Sequence, residues 1–167
     1  EYKGILYGGF RATAKGVKLI EYNARFGDPE AMNALSLLET DFVKICKAIA
    51  NGSLNKINVT FKKKATVCKY AVPHGYPENP VKGQPIDISN INDKDHLFYA
   101  SVDIKNETLI ESGSRTVAFV GIADTIENAE KIAEKEISKV AGPLFHRKDI
   151  GTKNLLQKRM LQMEKIR

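Results

Sequence analysis

The sequence predicts an α+β fold in two pieces, the second richer in strands than the first. Three observations predict it. Two extended segments close to the N-terminus are separated by a short turn and followed by helical periodicity up to residue 50. After Phe61 the pattern changes to short strands broken by turn residues. The chain then closes on two amphipathic helical stripes. The 167 residues, 43% hydrophobic and 28% charged, suffice for one large domain or two small interlocked ones.

Taken in order, residues 4–10 and 17–23 are the first two strands, joined by a turn at Ala14-Lys15-Gly16. Asp28-Pro29 marks a helix start, with Asp28 as N-cap, Pro29 at the first helical position and Ala31, Leu35 and Leu38 on the apolar face. Asp41 caps a second helix to Ala50, with Val43, Cys46, Ile49 and Ala50 on one side and Asn51-Gly52 ending it. Residues 65–72, 86–88, 97–102, 108–110 and 116–123 read as strands, and 73–80 as a loop dense in Pro and Gly. A helix over 125–141 carries Ile126, Ala129, Ala133, Ile137 and Val140, and Gly142-Pro143 stops it. The last helix, 153–166, has a stripe of Leu156, Met160, Met163 and Ile166, read as packing. The expected domains are 1–61 and 62–167.

Composition narrows the function classes. The net charge of +6 favours an anionic partner without naming it. Lys62-Lys63-Lys64 comes with no aromatic platform or groove-binding motif, so nucleic acid is not an expected partner. No apolar run approaches a membrane span. Cys46 and Cys68 are too few for a disulfide framework or a zinc site; both read as core residues in a reducing, cytoplasmic compartment. His74, His96 and His146 match no zinc spacing. The opening on Glu1-Tyr2-Lys3-Gly4, without Met, reads as an internal cut.

The run Glu21-Tyr22-Asn23-Ala24-Arg25-Phe26-Gly27-Asp28-Pro29-Glu30 carries the chemistry. On a continuous strand Glu21, Asn23 and Arg25 point to one side. A carboxylate and an amide oxygen two residues apart make half of an all-oxygen site for magnesium, with phosphate and water completing it. Arg25 can grip a carboxylate or phosphate with two prongs. Gly27 lets the backbone turn, and the helix after Pro29 offers N–H groups to an anion. Each fragment alone is more often a solvated face or a helix cap; the strand, glycine, cap and helix in that order are harder to dismiss.

Glu21-x-Asn23-x-Arg25 resembles the metal-binding strand of the ATP-grasp superfamily, and the ten-residue run is similar to the signature of the phosphoribosylamine–glycine ligase family. Other segments resemble that family in matching order. They are Tyr2-Lys3-Gly4-Ile5-Leu6-Tyr7-Gly8-Gly9, Gly75-Tyr76-Pro77 with Lys82-Gly83, Gly113-Ser114-Arg115-Thr116-Val117-Ala118 with Thr125-Ile126-Glu127-Asn128-Ala129, and His146-Arg147-Lys148-Asp149-Ile150-Gly151.

The resemblance implies the end of an ATP-grasp domain followed by a small β-barrel-like C-terminal domain with terminal helices. It implies the C-terminal part of a ligase of purine biosynthesis that joins glycine to 5-phosphoribosylamine through a glycyl phosphate, with ATP as co-substrate and magnesium or manganese as cofactor. Carried over, Glu21 and Asn23 ligate the metal and Arg25 is catalytic, holding an anion by the transferred phosphate. Gly27, Asp28 and Glu30 join Arg25 on the substrate and phosphate side. The remaining N-terminal portion of such a ligase is then a partner, and this chain alone is not expected to turn over. Residues 2–20 contain no Asp or Glu, so the second acidic metal ligand of many ATP-grasp relatives is missing there. Two other readings stand beside this one. A non-catalytic binding or assembly module would differ in affinity for magnesium–nucleotide. Another ATP-grasp purine ligase or carboxylase is disfavoured by the Gly27-Asp28-Pro29-Glu30 continuation.

Overall fold

The computed structural model describes residues 1–166. They fall into two compact units, Glu1–Lys63 together with the residues from Leu156 on, and Lys64–Leu155. The last helix therefore groups mainly with the first unit and not with 62–155.

In the first unit, β1 (Tyr7–Thr13) and β2 (Gly16–Asn23) form an antiparallel ribbon. Gly16 at φ +93° lets the chain reverse after Ala14-Lys15. The pairing shifts between Gly9 and Phe10: Gly9 lies opposite Glu21 and Phe10 opposite Leu19, leaving Ile20 as the extra residue of a β-bulge. Directly opposed residues share a face. The Phe10 and Tyr22 rings meet edge-on at 5.8 Å between centroids. One face of the ribbon therefore carries Phe10, Leu19, Val17 and Tyr22, and the other carries Tyr7, Gly9, Glu21 and Asn23.

Two short helices follow. The first, α1 (Glu30–Leu35), begins at Pro29 with no side-chain cap, so Asp28 is not its N-cap. Pro29, at φ −94° and ψ 3°, stands outside the helical region, and Glu30 is the first helical residue. The helix stops short of Leu38, which bridges Phe61 instead. In α2 (Phe42–Ala50) the Asp41 cap is present, its Oδ1 accepting from the Lys44 amide at 2.7 Å. Its buried face is Ile45 and Ala48, not the expected Val43–Cys46 stripe; Cys46 is exposed, so only Cys68 is a core cysteine.

In the second unit, β3 (Ala65–Pro73), β4 (Leu97–Tyr99), β7 (Val117–Ala123) and β8 (Leu144–His146) form an antiparallel sheet of order β4-β7-β3-β8. Between β4 and β7, β5 (Val102–Lys105) and β6 (Thr108–Glu111) make a separate hairpin. Its turn residues Asn106 and Glu107 both have positive φ, as a tight hairpin requires. The four-stranded sheet has open edges at β4 and β8, so the expected barrel-like closure is not seen among the described residues. Residues 86–88 form only a bridge, Asp87 to Ala141.

Helix α3 (Ile126–Ile137), capped by Thr125 accepting from the Asn128 amide, lies against β7 and β3. A Cβ at Gly121 would come within 2.0 Å of the Ala129 carbonyl oxygen, so only glycine admits the helix this close. Ala129 and Ala133 complete the contact, and Val67, Ala71, Leu97, Val117, Phe119 and Ile137 fill the core beside them. The final helix, α4 (Lys153–Glu164), has no buried residue; Met160 is 64% exposed, so its apolar stripe is not core packing within the chain. No described helix is long and apolar enough to cross a membrane.

Candidate functional site

The ribbon face that holds Glu21 and Asn23 is built by local pairing. Gly9 stands opposite Glu21, and Tyr7 opposite Asn23. A Cβ at Gly9 would touch Glu21 Cγ at 3.3 Å, so glycine leaves the glutamate unobstructed. Glu21 Oε1 accepts from Asn23 Nδ2 at 3.2 Å, which brings the carboxylate and the amide together. The amide presents its nitrogen to Glu21, and a half-turn about its last bond would present its oxygen. Among the described residues no cationic side chain pairs with Glu21. The two are hard oxygen donors of the kind magnesium or manganese takes, which fits a site completed by other ligands. No cluster of three or more His, Cys, Asp or Glu suited to a metal occurs among the described residues.

Arg25 departs from the expected geometry. Strand β2 ends at Asn23, and the Arg25 Nη1 donates to the carbonyl of Phe26 at 2.7 Å. Its guanidinium is turned to its own backbone, because beyond the strand the alternation that would place it beside Glu21 no longer applies. The helix amides are also engaged: Ala31 N–H donates to Gly27 O and Met32 N–H to Pro29 O, each at 3.0 Å. Gly27 is buried, and its value is room, since a Cβ there would lie 2.5 Å from Glu30 Oε2 and 3.0 Å from Tyr7 Cγ. Asp28 is exposed.

Sequence reasoning missed Tyr7. Its hydroxyl donates to Glu30 Oε1 at 2.9 Å, linking β1 to the start of α1. This hydrogen bond holds the phenol above its ordinary pKa, with desolvation and the charges of Glu30 and Glu21 acting in the same direction. Counting the hairpin register back from Gly16 would have found it, but only with the bulge taken into account.

It also missed a buried charge cluster in the second unit. Lys69, fully buried on β3, donates to Glu130 Oε1 at 2.7 Å, Glu134 Oε2 at 2.6 Å and the Lys148 carbonyl at 3.0 Å. His146 Nε2 lies 3.1 Å from Glu134 Oε1. Burial opposes the charge on Glu134, yet hydrogen bonds from Lys69 and His146, with their charges, hold its carboxyl below the ordinary range. Arg147 grips Asp149 with two prongs, Nε to Oδ1 at 3.0 Å and Nη2 to Oδ2 at 2.7 Å. In this unit the His146–Gly151 segment fastens a sheet strand, a helix and a loop to one another.

A family model described as phosphoribosylglycinamide synthetase, C domain, matches residues 66–153. One described as phosphoribosylglycinamide synthetase, ATP-grasp (A) domain, matches residues 1–31, the stretch that includes the ribbon and Glu30. The chain is 54% identical over 169 residues to the phosphoribosylamine–glycine ligase of Methanocaldococcus jannaschii. It is 54% identical over 166 residues to that of Methanosarcina barkeri. In both cases the match takes in 99% of this chain and 38% of the relative, so the chain spans well under half the length of these curated relatives. The crystal structure of phosphoribosylamine–glycine ligase from Thermotoga maritima is similar, with a TM-score of 0.72 at 28% identity, covering 87% of this chain and 36% of that one.

Proposed function

Because the chain belongs to the phosphoribosylglycinamide synthetase family, we propose that it forms the C-terminal part of an ATP-dependent carbon–nitrogen ligase. The substrates of the whole enzyme are glycine, 5-phosphoribosylamine and ATP, in the de novo purine pathway of the cytoplasm. The observation that carries this reading is the Glu21–Asn23 pair on the exposed ribbon face, within the stretch similar to an ATP-grasp domain. In domain terms, 1–61 would end the ATP-grasp domain and 62–167 would supply the strand-rich C-terminal domain, with the residues from Leu156 on grouped with the first unit.

Glu21 and Asn23 would hold magnesium or manganese. Bound there with nucleotide, the ion would offset the charge on the transferring phosphoryl group. Glu21 supplies the negative charge and Asn23 a dipole. Arg25 serves as the anion clamp and catalytic cation once its guanidinium leaves the Phe26 carbonyl, a single local hydrogen bond. Gly27 provides close approach, and Asp28 and Glu30 border the substrate side. The chain contains no glycine-rich phosphate loop, so alone it does not turn over.

The test joins the upstream part of the Methanocaldococcus jannaschii ligase to this chain. The chimera is expected to release ADP only with glycine and phosphoribosylamine together, while the 167-residue chain alone releases none. A soluble, folded chimera without that activity overturns the ligase reading.

A further inference from the structure

Glu30 is the first residue of its helix, its side chain is exposed, and no cationic side chain among the described residues pairs with it. Its carboxylate is nevertheless held. Tyr7 donates to Oε1, and the Tyr7 ring and Oε2 both close over the bare Cα of Gly27. Tyr7 stands opposite Asn23 in the ribbon and its phenol feels the charge of Glu21, so this small assembly adjoins the Glu21–Asn23 pair. A carboxylate repels phosphate, so Glu30 is unsuited to the phosphate side of the reaction. Its complement is a cationic donor, and among the proposed reactants that is the ammonium group of glycine.

We infer that Tyr7 is a positioning residue, whose hydroxyl fixes Glu30 so that the second carboxylate oxygen accepts from the ammonium group of the amino-acid substrate. The inference rests on the ligase reading and deepens it. Tyr7 itself touches no reactant; it removes the rotational freedom of Glu30, and Gly27 leaves the space in which the two meet. Losing one charge-assisted hydrogen bond changes binding by roughly tenfold.

The experiment has two arms. In the chimera, Tyr7→Phe and Glu30→Gln are each expected to raise the KM for glycine by about tenfold, with the KM for ATP changed less than about twofold. The double variant should be no worse than Glu30→Gln alone, because Tyr7 acts only through Glu30. Gly27→Ala should reproduce the Tyr7→Phe effect. An unchanged glycine KM, or effects that multiply in the double variant, overturns the inference.

The second arm uses the chain itself, with tyrosine labelled at Cζ for NMR. The Tyr7 signal, identified by its loss in Tyr7→Phe, is expected to move in Glu30→Gln while the other five of the six tyrosines stay in place. A Tyr7 signal that does not move overturns the inference whatever the chimera does. A parent chimera without activity removes the ligase reading and with it the substrate half of the inference, while the NMR arm still decides whether Tyr7 holds Glu30.

Discussion

The two units of the chain place their apolar and charged side chains in opposite ways. In Lys64–Leu155 the central strand is sealed: Val117, Ala118 and Phe119 have no exposed surface, and even a lysine is buried there with two carboxylates for company. In Glu1–Lys63 the ribbon turns Phe10, Val17, Leu19 and Tyr22 outward, each more than half exposed, and Arg11, Lys18 and Glu21 are exposed on the other face. One unit uses polar groups to hold itself together. The other owes its candidate site to a hairpin register and two glycines, with little core beneath it. A two-stranded ribbon is marginal by itself, so stability and chemistry are divided between the units, and substitutions should separate them.

The largest effect is expected at Lys69. Lys69→Ala leaves Glu130, Glu134 and the Lys148 carbonyl without their shared donor, and breaking a buried ion pair from one side costs about 3–5 kcal/mol. Urea unfolding of the chain should show this loss, and a change below about 1 kcal/mol would mean water replaces the ammonium readily. In the chimera, Glu21→Gln should lower turnover by about a hundredfold, an effect of about 3 kcal/mol on the transition state, and move the magnesium curve to higher concentration. Asn23→Ala should act in the same direction but more weakly. Neither should shift the melting temperature of the chain by more than about 4 °C, since both side chains lie on the ribbon's open face. If Glu21→Gln unfolds the chain and leaves the magnesium curve in place, the division between units fails.

Acid should distinguish the units next. Asp87, Asp93, Glu127, Glu134, Glu136 and Asp149 all have folded-state pKa values lowered from the ordinary carboxylate range, and all lie in Lys64–Leu155. Such groups add stability above their unfolded pKa and lose it as pH falls through the folded value. Hydrogen exchange should therefore show 64–155 losing protection as pH drops below the ordinary carboxylate range. Glu134→Gln should flatten the slope. The smallest effect is expected at Val17, 69% exposed, where Val17→Thr should change unfolding free energy by less than about 0.5 kcal/mol.

The sequence revealed the strands and helices better than it revealed which side each one buries. The Asp41 cap is visible because capping is a local event between residues three apart, whereas Thr125, read as the first residue of its helix, is in fact that helix's cap. The α2 face was misread because Val43, Cys46 and Ile49 keep helical spacing as well as Ile45 and Ala48 do, and only tertiary contacts choose between them. Arg25 was placed with Glu21 by extending the alternation past Asn23, where the strand had already ended. The Glu21–Asn23 pair was legible because two residues apart on one strand is a local relation. Tyr7–Glu30 spans 23 positions and joins β1 to the first residue of α1, a tertiary contact that no local spacing announces. Lys69 within an apolar strand was a signal in plain view: a lysine between Cys68 and Tyr70 has to find carboxylates, and they came from a helix sixty residues on.

The bulge at Ile20 bears on how the ribbon tolerates changes in chain length. Strict alternation through residues 17–23 would put Val17 and Leu19 beside Glu21 and Asn23, mixing greasy and ligating side chains on one surface. The extra residue shifts the reading frame of the strand by one, so the carboxylate and amide keep a clean polar surface while Leu19 joins Phe10. Ile20 is thus the residue the ribbon can lose: its deletion leaves a regular hairpin with both surfaces intact. Deleting Lys18 instead would slide Val17 onto the polar surface. Indels in this strand are neutral or ruinous according to which side of the bulge they fall on.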